Sequence, residues 1–184
     1  MVGPNDDERR NAILDAAFTK FAAYGFDRTS MADIAEAAGM SRPALYQHFA
    51  NKEAIFREML GRILEGAADK ALAALETEVD LAAQLDGFLQ RWTGDLTEQM
   101  RSTEHGGDIV EAKGSYAKPV YDAVSTRIRR ALRDHLAAAG VDEVGDVVDL
   151  LLLAPLGFKA DAPSTAKLRR RLQVLAGSVA SSVD

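Results

Sequence analysis

The chain has 184 residues, 47% apolar and 27% charged, with a formal net charge of −6. That is enough apolar material to build a core, so a disordered chain is excluded; the acidic balance argues against a protein that coats itself in nucleic acid but leaves room for a localised DNA-reading patch. The absence of cysteine excludes a disulfide scaffold, a cysteine nucleophile and a thiolate zinc site.

Nearly every periodic segment reads as helix, with few β-branched residues and no Asn-Gly or Asp-Gly hairpin between alternating runs, so the predicted class is all-α. The first helix is expected from about Asp7 to Tyr24. Leu14, Ala17, Phe18 and Phe21 recur at i, i+3, i+4 and i+7 as one buried stripe, and Gly25 follows as a left-handed stop. Ser30 is placed to cap a second helix, with Asp33 completing a capping box and Gly39 ending it after about two turns. Met40 and Ser41 make the turn. Ser41 caps a third helix, Arg42 to about Phe49, with Pro43 in its tolerant first turn. Asn51 caps a long fourth helix reaching Val79, with Phe56, Met59, Leu60, Ile63, Ala67, Ala71 and Leu75 inward. Further helices are expected at about 80–102, 106–113, 117–139, 143–160 and 164–182. The glycines at 106, 107 and 114 mark the least regular stretch.

Two short helices joined by a Gly-centred turn, with a first helix behind them, are the plan of a helix-turn-helix. Leu45 and Phe49, four residues apart, would anchor the second of the pair. Pro43, Ala44 and Gln47 fall on the opposite side, flanked by Tyr46 and His48. Arg42 lies nearer the anchored side by angle, but in a first turn its long side chain can reach forward into a groove. Residues 1–60 hold seven basic and nine acidic residues, yet no acid occurs between Glu36 and Glu53, where Arg42 and Lys52 lie. That acid-free window is centred on the third helix.

Arg28 to Leu60 resembles the DNA-binding domain of TetR-family transcriptional regulators. The likeness lies in Thr29-Ser30, Ile34-Ala35, Ala38-Gly39, Ser41, Leu45-Tyr46, His48-Phe49 and Asn51-Lys52-Glu53, with Phe18 and Gly25-Phe26 of the first helix. It is specific over about residues 9–60; beyond, it rests on the long-helix plan. The resemblance implies a bacterial homodimer that binds a roughly palindromic double-stranded DNA operator and a small-molecule effector, whose binding releases the DNA. It places Arg42, Pro43, Ala44 and Gln47 towards bases, and Thr29, Tyr46, His48 and Lys52 at phosphates. Ala44 departs from the hydroxyl or amide side chains often found there and offers only apolar contact, such as to a thymine methyl. The implied division is a helix-turn-helix domain over 1–51 and a ligand-binding and dimerisation domain over 52–184.

In the later half, Leu150 to Leu153, Pro155 and Leu156 make a helix apolar nearly all round, and Leu168, Leu172, Leu175 and Val179 make a coiled-coil-like seam. A four-helix dimer interface using Leu152, Leu156, Leu168, Leu172, Leu175 and Val179 is expected, with a monomeric core as the competing reading. Phe88, Trp92, Tyr116 and Tyr121 mark where an effector pocket would lie, with Glu111 or His105 as polar partners and the stretch around Pro119 able to move. Arg127, Arg129, Arg130 and Arg133, and Arg169 to Arg171, read as solvated faces, some paired with Asp134, Asp146 or Asp149.

His48, His105 and His135 form no His-Glu-x-x-His pair, and Gly-x-Ser-x-Gly, phosphate-loop and dinucleotide fingerprints are missing. No enzyme, metal or cofactor is therefore expected. The opening MVGPNDDERR lacks a signal-peptide pattern, and the densest apolar run, Val147 to Leu156, is too short to span a bilayer and is broken by Asp149. A cytoplasmic setting without membrane is expected. The reading is a ligand-responsive DNA-binding regulator of transcription, a repressor. The alternative is a helical interaction protein without sequence-specific DNA reading.

Overall fold

The structure, a computed structural model, describes residues 6–77, 79–105 and 118–182, and among these no strand occurs. The helices are α1 (Asp6–Tyr24), α2 (Met31–Ala37), α3 (Arg42–His48), α4 (Lys52–Thr77), α5 (Leu81–Leu89), α6 (Leu96–Arg101), α7 (Lys118–Ala138), α8 (Val144–Asp161) and α9 (Thr165–Ala180). The helix expected at 106–113 lies outside the described residues. The chain divides into two compact units: Met1–Ile63 with Met100–Tyr121, and Leu64–Gln99 with Asp122–Asp184. The division thus falls inside α4 rather than at residue 51. The reason is packing: Ile55, Phe56, Met59 and Leu60 of α4 are buried, and Phe56 meets Phe21 and Phe26 edge-on at 5.6 and 4.9 Å.

In the first unit, local chemistry sets each helix end. Ser30 accepts from the Asp33 amide at 3.2 Å, while the Asp33 carboxylate accepts from the Ser30 amide at 2.8 Å. The Ser30 hydroxyl also donates to the Asp33 carboxylate at 2.7 Å, and this bond first and the Ser30 amide second hold the Asp33 carboxyl below its ordinary range. At the other end of α2 the Met40 amide reaches back to the Ala35 carbonyl at 3.0 Å. This tight reversal puts Gly39 at φ +67°. Asn51 Oδ1 accepts from the Ala54 amide at 2.8 Å and so starts α4.

In the second unit, the seam Leu168, Leu172, Leu175 and Val179 of α9 is buried, and α9 packs chiefly on α5, then on α8. A single helix over 80–102 is not what forms. Residues Gln90–Asp95 wind as a π-helix between α5 and α6. Arg169 of α9 enters beside this turn, donating to Gln90 Oε1 (3.1 Å), Asp95 (2.7 Å) and Glu98 (2.6 Å), while Gln90 Nε2 donates to the Arg169 carbonyl at 2.9 Å. A Cβ at position 94 would stand 2.9 Å from Arg169 Nη1, so Gly94 is what lets the guanidinium in. Arg127 pairs with Glu65 and Asp69, Arg129 with Asp149, and Arg171 with Asp161.

His135 Nε2 lies 2.9 Å from Gln84 Oε1. Burial holds its imidazole below the ordinary histidine value of 6.5, only partly offset by Glu76. Between the lowered folded value and 6.5 the unfolded chain binds more protons, so stability rises with pH through that window and the contribution is complete above 6.5. Urea unfolding should therefore show a midpoint that falls as pH drops from about 7.5 to about 5.5, and a smaller fall in His135→Gln. A Cβ on Gly39 would meet nothing within 4 Å, so Gly39→Ala isolates the backbone cost. Denaturant unfolding should register a loss of about 1–2 kcal/mol, with Gly39→Asn costing less.

Candidate nucleic-acid interface

The recognition candidate α3 is built from its cap outward. Ser41 is extended and its hydroxyl accepts from the Ala44 amide at 3.3 Å. Pro43 occupies the first turn, where no amide is needed. Leu45 is 0% exposed, and Phe49, which caps the helix, is also buried. That anchored side leaves Arg42, Pro43, Tyr46 and Gln47 exposed and Ala44 half-buried. Arg42 lies along the outer face: its guanidinium sits 5.6 Å from the Tyr46 ring and donates to the Tyr46 hydroxyl at 3.4 Å. Its direction along the i, i+4 row, rather than its angle on the wheel, decides where it ends. The face thus offers a guanidinium fork, an amide, a phenol and two small apolar groups, a set that can pair with base edges and phosphate oxygens.

Three of the residues assigned to phosphates are instead occupied inside the unit. Thr29 is 2% exposed and donates its hydroxyl to the Gly25 carbonyl at 2.8 Å. A hydroxyl has one proton to give, so Thr29 closes the turn after α1 and does not reach outward. The Lys52 ammonium donates to the carbonyls of Phe26 (2.8 Å), Asp27 (3.2 Å) and Thr29 (3.1 Å) and rests 4.4 Å from the Phe26 ring. Its three protons are all placed. It ties the start of α4 to the α1–α2 turn. His48 is mostly covered, with Nδ1 3.3 Å from Asp6. Tyr46, 44% exposed, remains on the outer face.

Sequence reading missed Arg10. It pairs through Nε and Nη2 with both carboxylate oxygens of Glu58, donates to the His48 carbonyl at 3.2 Å and lies 4.2 Å from the Phe49 ring. The Glu58 hydrogen bonds hold its guanidinium above the ordinary arginine range against the effect of burial. Its partners lie 38 and 48 residues away, so no local spacing could have shown it.

The expected dimer and effector sites need correction. Leu168, Leu172 and Val179 are core within the chain, Leu175 is nearly so, and Leu152 is half-buried; of that set Leu156 is exposed. The seam faces inward because α5 supplies its partner surface, including buried Leu85, Phe88 and Leu89. On α8 and α9 the large apolar residues left outside are Leu150, Leu153 (56% exposed), Leu156 and Val174 (62%). A groove of about 720 Å³ runs beside them, lined by Gly157, Phe158, Val174 and Leu175 with Lys167, Arg170 and Arg171. Phe88 is wholly buried and Trp92 sits in the π turn, both in the second unit, whereas Tyr121 belongs to the first. Tyr116 and Glu111 lie outside the described residues. His105 is engaged by Arg28, whose Nη2 is 2.7 Å from its Nε2. Among the described residues no cluster is placed to hold a metal, and no helix is long and apolar enough to cross a membrane.

Residues 13–59 match the family described as "Bacterial regulatory proteins, tetR family". The similarity to that family thus covers residues 13–59, about a quarter of the chain. The chain is 44% identical over 69 residues to the HTH-type transcriptional repressor ComR of Escherichia coli, covering 38% of this chain and 33% of that protein. The chain thus spans about a third of ComR's length. It is 28% identical over 180 residues to an HTH-type transcriptional repressor of Mycobacterium tuberculosis, covering 95% of this chain and 94% of that one. The fold is that of a TetR/AcrR-family regulator from Thermobifida fusca, with TM-score 0.74 at 19% identity over 94% of this chain and 97% of the other. These relatives bear the names of transcriptional regulators.

Lys52→Ala would strand three carbonyl acceptors, so its expected effect is on folding: a loss of about 1–3 kcal/mol in denaturant unfolding, with the salt slope of DNA binding unchanged. A slope reduced by about one at full stability would instead make Lys52 a phosphate contact.

Proposed function

We propose that the regulator is a dimeric repressor that reads a palindromic operator with α3 and leaves it when a small molecule binds. The observation that carries this reading is the partition of α3: Leu45 and Phe49 are buried while Arg42, Pro43 and Gln47 are exposed, in a stretch of sequence with no acid between Glu36 and Glu53. Arg42, Pro43, Ala44 and Gln47 face bases, and Tyr46 stands beside the phosphate backbone. Repression is supported by the names of the relatives from E. coli and M. tuberculosis. Dimerisation is supported by the exposed leucines of α8 with Val174 of α9, apolar area that a second copy would remove from water. Two-fold symmetry would set the recognition helices about 34–36 Å apart, one turn of DNA. An effector acting through α4, whose residues are shared between the two units, needs a coupling of only about 1–3 kcal/mol to move that spacing off register.

Selection of binding sites from a random DNA pool tests the reading. The intact chain should enrich a palindrome with half-sites about one turn apart, and Leu153→Glu should bind only single half-sites, weakly. A folded protein that enriches nothing at low salt would reject sequence reading and favour a protein-interaction role.

A further inference from the structure

The first turns of α1 grip the far end of α3. Asp6 approaches the His48 ring at 3.3 Å, and Arg10 donates to the His48 main-chain carbonyl at 3.2 Å. The same guanidinium covers Phe49 at 4.2 Å and is held through two of its nitrogens by Glu58 of α4. One side chain of α1 thus touches two other helices, α4 and α3, and the last carbonyl of the shorter one. We propose that Arg10 is a positioning residue for DNA reading, setting, with Glu58, the angle at which α3 presents Arg42 and Gln47.

The geometry gives the reason. α3 has seven residues, and the side chains it buries are Leu45 and, at its cap, Phe49, which are four apart and lie on one line along the helix. Two anchors on a line fix depth but leave roll about that line. Roll swings the outer face sideways across a groove, moving Arg42 and Gln47 relative to base edges while leaving the core intact. The bond to the His48 carbonyl adds a polar hold at the helix end, where the last carbonyl has no partner within the helix. Stacking on Phe49 and a two-point carboxylate pair keep the guanidinium in one plane, which a flexible ammonium on the same stem cannot do. Arg10 and Glu58 are each little more than a third exposed, so this pair is screened less than a fully solvated one.

The inference rests on α3 being the reading helix, and the test separates the two. Arg10→Lys and Glu58→Gln are compared with the parent chain for binding to the selected operator and to a scrambled duplex across a salt series, and by amide hydrogen exchange without DNA. The expected result is an operator preference reduced about tenfold, the lower range of one lost base contact, with scrambled-duplex affinity and salt slope unchanged. The double variant should lose no more than either single one, because the two residues act as one unit. Exchange should quicken in α3 while α2 and the buried turns of α4 keep their protection. Unchanged preference in variants of an operator-selective parent would overturn the proposal. So would a uniform loss on both duplexes with a salt slope lower by about one, which marks a phosphate contact, or exchange quickened throughout the unit, which marks plain destabilisation. A parent without preference would sink the reading of α3 itself, and the exchange data would still decide whether Arg10 holds that helix.

Discussion

A helix of two turns has no stability of its own in water, since the cost of its nucleus is spread over too few bonds. α3 is seven residues long, so its existence, depth and angle are properties of what surrounds it. The first unit supplies these in order. The Gly39 reversal and the Ser41 cap start the helix, Leu45 and Phe49 seat it, and Arg10 with Glu58 and Asp6 meets its far end. The outer face is thereby left with no task in the fold, which is the condition a reading surface needs.

The same logic explains why cations that look suited to phosphate are used inward. The α1–α2 turn carries carbonyls that no helix satisfies, and Lys52 and Thr29 meet several of them. A buried or half-buried carbonyl without a donor is costly, and an ammonium with three protons can answer three at once. Fewer cations are then left for the surface, consistent with a chain of net charge −6.

Most of the first unit was legible in the sequence because its signals are local. Caps at Ser30, Ser41 and Asn51, stops at Gly25 and Gly39, and the spacing of Leu45 and Phe49 each act within a few residues. What was not legible depends on distant partners. Arg10 is explained only by residues that follow it by dozens of positions. The π turn at Gln90–Asp95 depends on Arg169 entering beside Gly94, and nothing in residues 80–102 announces it. The α9 seam was readable as apolar but not as inward-facing, because a four-three spacing is identical whether its partner is α5 of the same chain or a second copy. Of the aromatic residues expected to mark a pocket, Phe88 is wholly buried in the core of its unit, which is the commonest work of an aromatic ring.

The central claim is a division of labour in which the outer face of α3 meets DNA while Lys52, Thr29 and Arg10 hold that face in place. A crystal structure of the regulator on its selected operator tests it most directly. The account predicts Arg42 or Gln47 within hydrogen-bond distance of a base edge in the major groove, with the Lys52 ammonium still on the carbonyls of Phe26, Asp27 and Thr29. Lys52 drawn out to a phosphate, with α3 lying away from the groove, would contradict it.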